Sequence, residues 1–193
     1  MEAFFISAGV VALAEIGDKT QLLAFALAAR YRRPVPIIIG IVLATLANHA
    51  LAGAIGAYVL QRLGPGLLHW LLIGSFLGMA IWVLIPDKPP REDGPPIASL
   101  SLVLTTTVAF FMAEMGDKTQ FATIALAARY ASFYAVVAGT TTGMLLANVP
   151  AVLLSQRLAE RVPTVWVHRT AALVFLGLSV ALLVSPMPST LSP

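Results

Sequence analysis

Two copies of the pattern Glu-x-Gly-Asp-Lys-Thr-Gln lie inside hydrophobic segments of the chain. The first copy runs from Glu15 to Gln21 and the second from Glu114 to Gln120. A carboxylate or ammonium at the centre of a bilayer costs ~2.5–3.5 kcal/mol. Six such charges without compensation would cost roughly 15 kcal/mol, which exceeds the stability of a typical domain. We therefore expect these side chains to pair, to line a water-filled cavity or to bind an ion.

The oxygen-bearing side chains of the motifs predict a binding site for a divalent cation. Residues three apart on a helix share a face, so Glu15 and Asp18 are expected to lie side by side. An Asn in the next helix of each half is expected to join them. The predicted ligands are Glu15, Asp18, Thr20, Gln21, Asn48, Glu114, Asp117, Thr119, Gln120 and Asn148. Such an all-oxygen set suits Mn²⁺, Ca²⁺ or Mg²⁺, and a thiolate site is excluded because the chain has no cysteine.

The charge of this predicted site suggests a mechanism. Gly17 and Gly116 separate the acids and are expected to let the helix open, which a cavity inside the protein tolerates. Like carboxylates crowded in a low dielectric resist ionising together, so the empty site is expected to hold protons. A divalent cation would then displace those protons, as in a cation/proton antiporter that works by alternating access.

The composition predicts an all-α membrane protein. Of 193 residues, 59% are hydrophobic and 11% are charged, and the mean hydropathy is +0.88. A soluble domain carries about 25% charged residues. Six candidate transmembrane helices follow from the apolar segments, at about Phe4–Leu27, Val35–Leu60, Leu67–Ile85, Ala98–Ala128, Phe133–Leu154 and Val165–Val184. The lipid bilayer is thus an expected partner and nucleic acid is not.

The two halves of the chain are copies of each other. Between Glu15–Tyr31 and Glu114–Tyr130, 12 of 17 positions are identical at a fixed offset of 99. We predict one membrane domain built from repeats at 1–85 and 98–193, joined by a hydrophilic linker at 86–97. Three helices per repeat is an odd number, so the six helices should form two inverted three-helix repeats.

The distribution of basic residues predicts the orientation. One side of the predicted topology collects Arg30, Arg32, Arg33, Lys88, Arg91, Arg157, Arg161 and Arg169, whereas the other has only Arg62 and Arg129. Positive loops stay in the cytoplasm, so both termini are expected outside it. The N-terminus lacks the basic region of a signal peptide, and we expect the first segment to be retained.

Several alternatives remain open at this stage. Glu15 with Lys19, and Glu114 with Lys118, stand four apart and could form ion pairs along one helix, or the lysines could serve as counter-charges for the empty site. His49 could be a structural histidine or a proton relay. An exporter of small organic cations, such as basic amino acids, remains the rival function.

We do not expect an enzyme. An intramembrane aspartyl protease also uses Gly-Asp in a helix, but it needs a Tyr-Asp dipeptide, which is absent from the sequence. A passive channel is also less favoured, because matched buried acids in an inverted repeat suit alternating access better than continuous conduction.

The paired Glu-x-Gly-Asp-Lys-Thr motifs in a chain of six predicted spans resemble the Golgi-type Ca²⁺/Mn²⁺:H⁺ antiporter family, which includes bacterial manganese exporters. The resemblance implies export of Mn²⁺, with Ca²⁺ as a second substrate, in exchange for protons and without a cofactor. It implies that Glu15, Asp18, Glu114 and Asp117 are the essential acids. It also implies a location in the plasma (inner) membrane, but it does not predict the oligomeric state.

Overall fold

The computed structural model describes residues 1–85, 100–154 and 164–184. Eight helices occur in these residues: α1 (Glu2–Glu15), α2 (Lys19–Tyr31), α3 (Pro34–Arg62), α4 (Pro65–Trp82), α5 (Leu100–Glu114), α6 (Lys118–Tyr130), α7 (Phe133–Leu153) and α8 (Thr164–Val184). The predicted linker at 86–97, and Arg157 and Arg161 from the orientation argument, lie outside the described residues.

The first and fourth predicted helices are each broken at the charged motif. Helix α1 ends at Glu15 and α2 begins at Lys19, while α5 ends at Glu114 and α6 begins at Lys118. The glycine in each break has a positive φ, +85° at Gly17 and +72° at Gly116, a conformation that side chains with a Cβ rarely adopt.

The breaks confirm one expectation and correct another. The expected opening of the backbone at the two glycines is confirmed. The interpretation that Glu15 and Asp18 share one helix face is wrong, because the helix ends between them. Six predicted segments therefore become eight helices in the described part of the chain, with the other four predicted helices close to α3, α4, α7 and α8.

The helices of the two halves pack against each other in a reciprocal way. Helix α1 lies along α7 of the other half, and its counterpart α5 lies along α3. Likewise α2 contacts α7, and α6 contacts α3. Helices α4 and α8 pack together, with the rings of Phe76 and Phe175 stacked at 6.5 Å between centroids. Each broken helix pair is thus held by the long helix of the opposite half.

Small residues allow these helices to approach closely. A Cβ at Gly139 of α7 would lie 2.5 Å from the carbonyl oxygen of Phe4 and 2.9 Å from the Cβ of Ser7 in α1. The equivalent Gly40 of α3 would meet the Cβ of Thr106 at 2.6 Å and a backbone oxygen of α5 at 2.9 Å. Packing through small residues is how membrane helices associate in the absence of a hydrophobic driving force.

The outer surface of the long helix α3 is apolar, while its inner face carries small and polar residues. Leu43, Leu46, Leu51 and Ile55 are exposed, and Gly40, Ala44, Asn48, Ala52 and Gly56 are buried. Such an arrangement suits a protein whose surroundings are lipid tails. Among the described helices, three are long and apolar enough to cross a membrane by themselves: α3, α4 and α7.

Substituting Ala for Gly139 should destabilise the protein, because the backbone carbonyl of Phe4 cannot move away from the added methyl group. We expect a cost of about 1–3 kcal/mol, the usual range for overpacking a well-packed site. Gly40→Ala should behave alike, since it meets the equivalent atoms of α5. Thermal unfolding of the purified protein in detergent micelles, followed by circular dichroism, measures the loss.

The matched control is Gly78→Ala in α4, where an added Cβ has no atom of the described residues within 4 Å. Ala favours a helix over Gly by up to about 1 kcal/mol, so this variant should be neutral or slightly stabilised. Equal melting temperatures for Gly139→Ala and Gly78→Ala would contradict the close contact of α1 with α7.

Candidate metal centre

The charged side chains of the two motifs meet between the halves of the protein, where both helix breaks lie. Glu15, Asp18, Glu114, Asp117 and Lys118 are buried, with 3% or less of each residue exposed. The side chain of Lys19 is 26% exposed. In a membrane protein, buried charges need partners, and the contacts below supply them.

Two ion pairs cross between the halves. Lys19 Nζ lies 2.6 Å from Asp117 Oδ1, and Lys118 Nζ lies 2.9 Å from Asp18 Oδ1. Since Lys19 and Lys118 occupy equivalent positions, as do Asp18 and Asp117, the two pairs are the same contact made in both directions. Each half therefore neutralises an aspartate of the other.

These ion pairs between the halves form instead of the pairs within one motif, Glu15–Lys19 and Glu114–Lys118, that the sequence spacing allowed. A Glu–Lys pair at a spacing of four residues requires one continuous helix. Glu15 ends α1 and Lys19 begins α2, so that geometry does not exist at the motif, and the same holds for Glu114 and Lys118. The interpretation of these residues as ion pairs along one helix is therefore wrong.

Each glutamate receives a hydrogen bond from a threonine of its own motif. Thr20 Oγ1 donates to Glu15 Oε2 at 2.7 Å, and Thr119 Oγ1 donates to Glu114 Oε2 at 2.8 Å. The helix break makes this possible by bringing a residue five positions later back to the carboxylate. The predicted threonines thus reach the site, where they fix the orientation of the two glutamates.

Three carboxylates form a close cluster. Glu15, Glu114 and Asp117 each offer an oxygen, and these oxygens lie within 4.8 Å of one another. Glu15 Oε1, Glu114 Oε1 and Asp117 Oδ2 are buried and accept no hydrogen bond from the described residues. Each of these carboxylates therefore has one oxygen engaged by a threonine or lysine and a second oxygen open to a ligand. Asp18 does not belong to this cluster, and it is paired with Lys118.

The two predicted glutamines stabilise the helix breaks. The backbone N–H of Gly17 donates to Gln21 Oε1 at 2.8 Å, and that of Gly116 donates to Gln120 Oε1 at 2.7 Å. Their amide groups point across the interface, where Gln21 Nε2 donates to the carbonyl of Ala147 at 3.0 Å. The glutamines thus satisfy backbone groups that the opened helix leaves without partners.

The two predicted asparagines occupy different places. Asn48 Nδ2 donates to the carbonyl of Phe111 at 3.0 Å, and its Oδ1 accepts from Gln120 Nε2 at 3.1 Å. Asn148 Nδ2 lies 3.4 Å from Glu15 Oε2, beside the carboxylate cluster, and its buried Oδ1 accepts no hydrogen bond from the described residues. Of the two, Asn148 is therefore the better placed to contact a bound ion.

His49 is buried in α3, next to Asn48. Neither ring nitrogen has a hydrogen-bond partner among the described residues. It does not belong to the carboxylate cluster. The choice between a structural histidine and a proton relay stays open at this position.

Comparisons with known proteins identify the family of the chain. The model of the family "Divalent cation/proton antiporter GDT1" matches residues 3–91 and 102–189. A Vibrio cholerae serotype O1 protein named "Putative manganese exporter" is 51% identical over 182 residues, which cover 94% of this chain and 90% of that relative. Two rice proteins (Oryza sativa subsp. indica), GDT1-like protein 4 and GDT1-like protein 3, are 26% and 25% identical over 93% of this chain and 72% and 73% of their own lengths.

No solved structure matches the chain. The family model covers both halves and includes both charged motifs, so the resemblance drawn from those motifs is confirmed. The family is a family of transporters, and its description names divalent cations and protons. The chain belongs to the divalent cation/proton antiporter GDT1 family.

Proposed function

We propose that this protein exports Mn²⁺ from the cytoplasm in exchange for protons by alternating access. The observation that carries the proposal is the cluster of Glu15, Glu114 and Asp117, whose open oxygens are buried between the halves. The family supports divalent cation transport, and the name of the Vibrio cholerae relative supports manganese as the substrate.

The geometry of the cluster suits one hard metal ion. A Ca²⁺ ion bound to oxygens at ~2.3–2.6 Å keeps opposite ligands at most about 5 Å apart. The oxygens of the three carboxylates lie within 4.8 Å of one another, inside that limit. Carboxylate, carbonyl and water oxygens suit Mn²⁺, Mg²⁺ and Ca²⁺. The relative's name specifies manganese, and transport of Ca²⁺ stays a prediction.

The formal charge of the centre supports exchange with protons. Glu15, Asp18, Glu114 and Asp117 carry four negative charges when ionised, and Lys19 and Lys118 carry two positive charges, which leaves −2. One divalent cation matches that charge. Because an uncompensated charge is costly at membrane depth, the empty centre needs another source of positive charge. Protons supply it in this proposal, two for each metal ion.

The different surroundings of the two equivalent motifs support alternating access. Asp117 joins the carboxylate cluster and is paired with the partly exposed Lys19, whereas Asp18 is paired with the fully buried Lys118. Because the two motifs share these charged residues, a second conformation in which Asp18 joins the cluster and Asp117 leaves it should cost little free energy. We therefore place the protein in the inner membrane as two inverted three-helix repeats, with both termini outside the cytoplasm.

Replacing an acid of the cluster should abolish the exchange. Asp117→Asn and Glu114→Gln each remove a charged ligand, and we expect Mn²⁺-driven proton movement to fall at least about tenfold, the effect of ~1.4 kcal/mol. The measurement is proton release in proteoliposomes that contain a pH-sensitive dye, after addition of Mn²⁺ or Ca²⁺. Asp18→Asn should impair the exchange as well, since it removes the carboxylate that is paired with the buried Lys118.

The matched control is Glu2→Gln, an exposed acid in the first turn of α1. It should exchange at the wild-type rate. Normal exchange by Asp117→Asn would contradict the site. Proton movement driven by free lysine, without any response to Mn²⁺, would instead support the exporter of organic cations.

Exchange by the wild-type protein should move no net charge. If two protons replace one divalent cation, an imposed potassium diffusion potential should leave the initial rate of Mn²⁺ flux unchanged, while a pH gradient should change it. The measurement is Mn²⁺ flux in proteoliposomes with valinomycin, at equal and unequal pH. A rate that follows the membrane potential would contradict the charge balance proposed for the centre.

The inverted topology places equivalent residues on opposite sides of the membrane. Arg32 and Ala131 follow α2 and α6 at an offset of 99, are exposed, and share a left-handed conformation with φ of 52° and 48°. Because the chain has no cysteine, Arg32→Cys and Ala131→Cys create single thiols. An impermeant maleimide should label them from opposite sides, with Arg32→Cys on the cytoplasmic side. Labelling of both from one side would exclude inverted repeats.

A further inference from the structure

We propose that Lys19 is a tethered cation that occupies the metal centre when it is empty and leaves Asp117 when a divalent cation binds. The inference rests on the proposed metal transport and assigns a role to a residue that is not itself a metal ligand. In this role the ammonium group of Lys19 competes with the metal ion for the same carboxylate.

The position of the ammonium group supports this competition. Lys19 Nζ lies 2.6 Å from Asp117 Oδ1, and the other oxygen of the same carboxylate is open and buried. Asp117 is also a member of the cluster in which three carboxylate oxygens lie within 4.8 Å. A cation bound by that cluster would therefore sit only a few ångströms from the lysine ammonium, where two positive charges in a poorly solvated site repel strongly.

Without a metal ion the same contact is favourable. Asp117 is buried, and the cluster around it already holds two glutamates. Removing the partner of a buried charge is strongly destabilising. A lysine that covers Asp117 in the metal-free state would neutralise this aspartate, while the two protons of the proposed exchange neutralise the rest of the centre during the return.

Lys19 has room to move, and its counterpart does not. The side chain of Lys19 is 26% exposed and lies at the first position of α2, directly after the break at Gly17. The side chain of Lys118 is 1% exposed, and its partner Asp18 is equally buried. The lysine and the residues on either side of it are the same at both positions, so the difference in accessibility comes from what surrounds each lysine. In this conformation, Lys19 is therefore the lysine that a metal ion can displace.

Binding affinity separates this role from a structural one. In the full-length protein purified in detergent micelles, Lys19→Gln should bind Mn²⁺ about tenfold more tightly or better, because the competing charge is gone. The same variant should exchange more slowly in proteoliposomes. Lys19→Arg keeps the charge and should bind Mn²⁺ with nearly the wild-type Kd. Isothermal titration with MnCl₂ gives the three values.

A purely structural lysine would give the opposite result, since its loss would disorder the site and weaken binding. Weaker or unchanged binding by Lys19→Gln, with binding by the wild type intact, would overturn the role of Lys19 and leave the proposed function standing. A wild-type protein that binds no Mn²⁺ would overturn the proposed function and this inference with it.

A second measurement uses the wild-type protein and does not depend on how a variant folds. The chain has three lysines: Lys19, Lys118 and Lys88 of the hydrophilic linker. An amine-reactive reagent, read out by mass spectrometry, should label Lys19 several-fold faster when Mn²⁺ is present. Lys118 should stay protected, and Lys88 serves as the internal standard for the reagent. Labelling of Lys19 that stays constant or falls when Mn²⁺ binds would overturn the displacement.

Discussion

The structure depends on one constraint, which is that charge buried inside a membrane protein must be compensated within the protein. Four acids and two lysines meet between the halves, and each lysine reaches across to the aspartate of the opposite motif. Neither half could satisfy these charges alone, since each carries the partner that the other needs. The ion pairs therefore make the two halves interdependent, and the interface between them is also the site.

The helix breaks follow from the same constraint. In a continuous helix, successive side chains of the motif would point in different directions, and the backbone could not change conformation to bring them together. The positive φ of Gly17 and Gly116 ends each helix at its glutamate and starts the next at its lysine. The backbone N–H of each glycine is then satisfied by a glutamine four residues later. Four residues of each motif thus act together. The glycine ends the helix, the glutamine accepts a hydrogen bond from the glycine N–H, and the aspartate and the lysine form ion pairs with the other half.

Close packing keeps these charges within reach of one another. The crossings of α1 with α7 and of α5 with α3 rest on equivalent glycines, Gly139 and Gly40, with no space for a methyl group. Larger residues there would separate the helices, and ion pairs of 2.6 Å and 2.9 Å would lengthen. The small residues therefore serve the charged centre as well as the stability of the fold.

The sequence predicted much of this arrangement, and the part that it could not predict has a physical reason. The helical segments, the opening at the glycines and the family follow from local patterns, and the structure or the comparisons bear them out. The two inverted repeats stay a prediction. The partners of the lysines do not follow from local patterns. Lys19 and Asp117 are 98 positions apart, and local spacing favoured Glu15 as the partner of Lys19 instead. The ten predicted ligands remain a prediction, of which the structure brings Glu15, Glu114 and Asp117 into one cluster.

The two motifs differ in their surroundings, although their charged residues are the same. Identical residues stand at Glu15, Asp18 and Lys19 and at their counterparts, yet Asp117 lies in the cluster and Asp18 lies outside it. These residues are the same in both motifs, so the asymmetry arises from what surrounds them. In the proposed alternating access, a second arrangement in which the halves exchange roles would keep both ion pairs, Lys19–Asp117 and Lys118–Asp18. A carrier of this kind needs two such states close in free energy, because only then does a bound ion shift the population from one to the other.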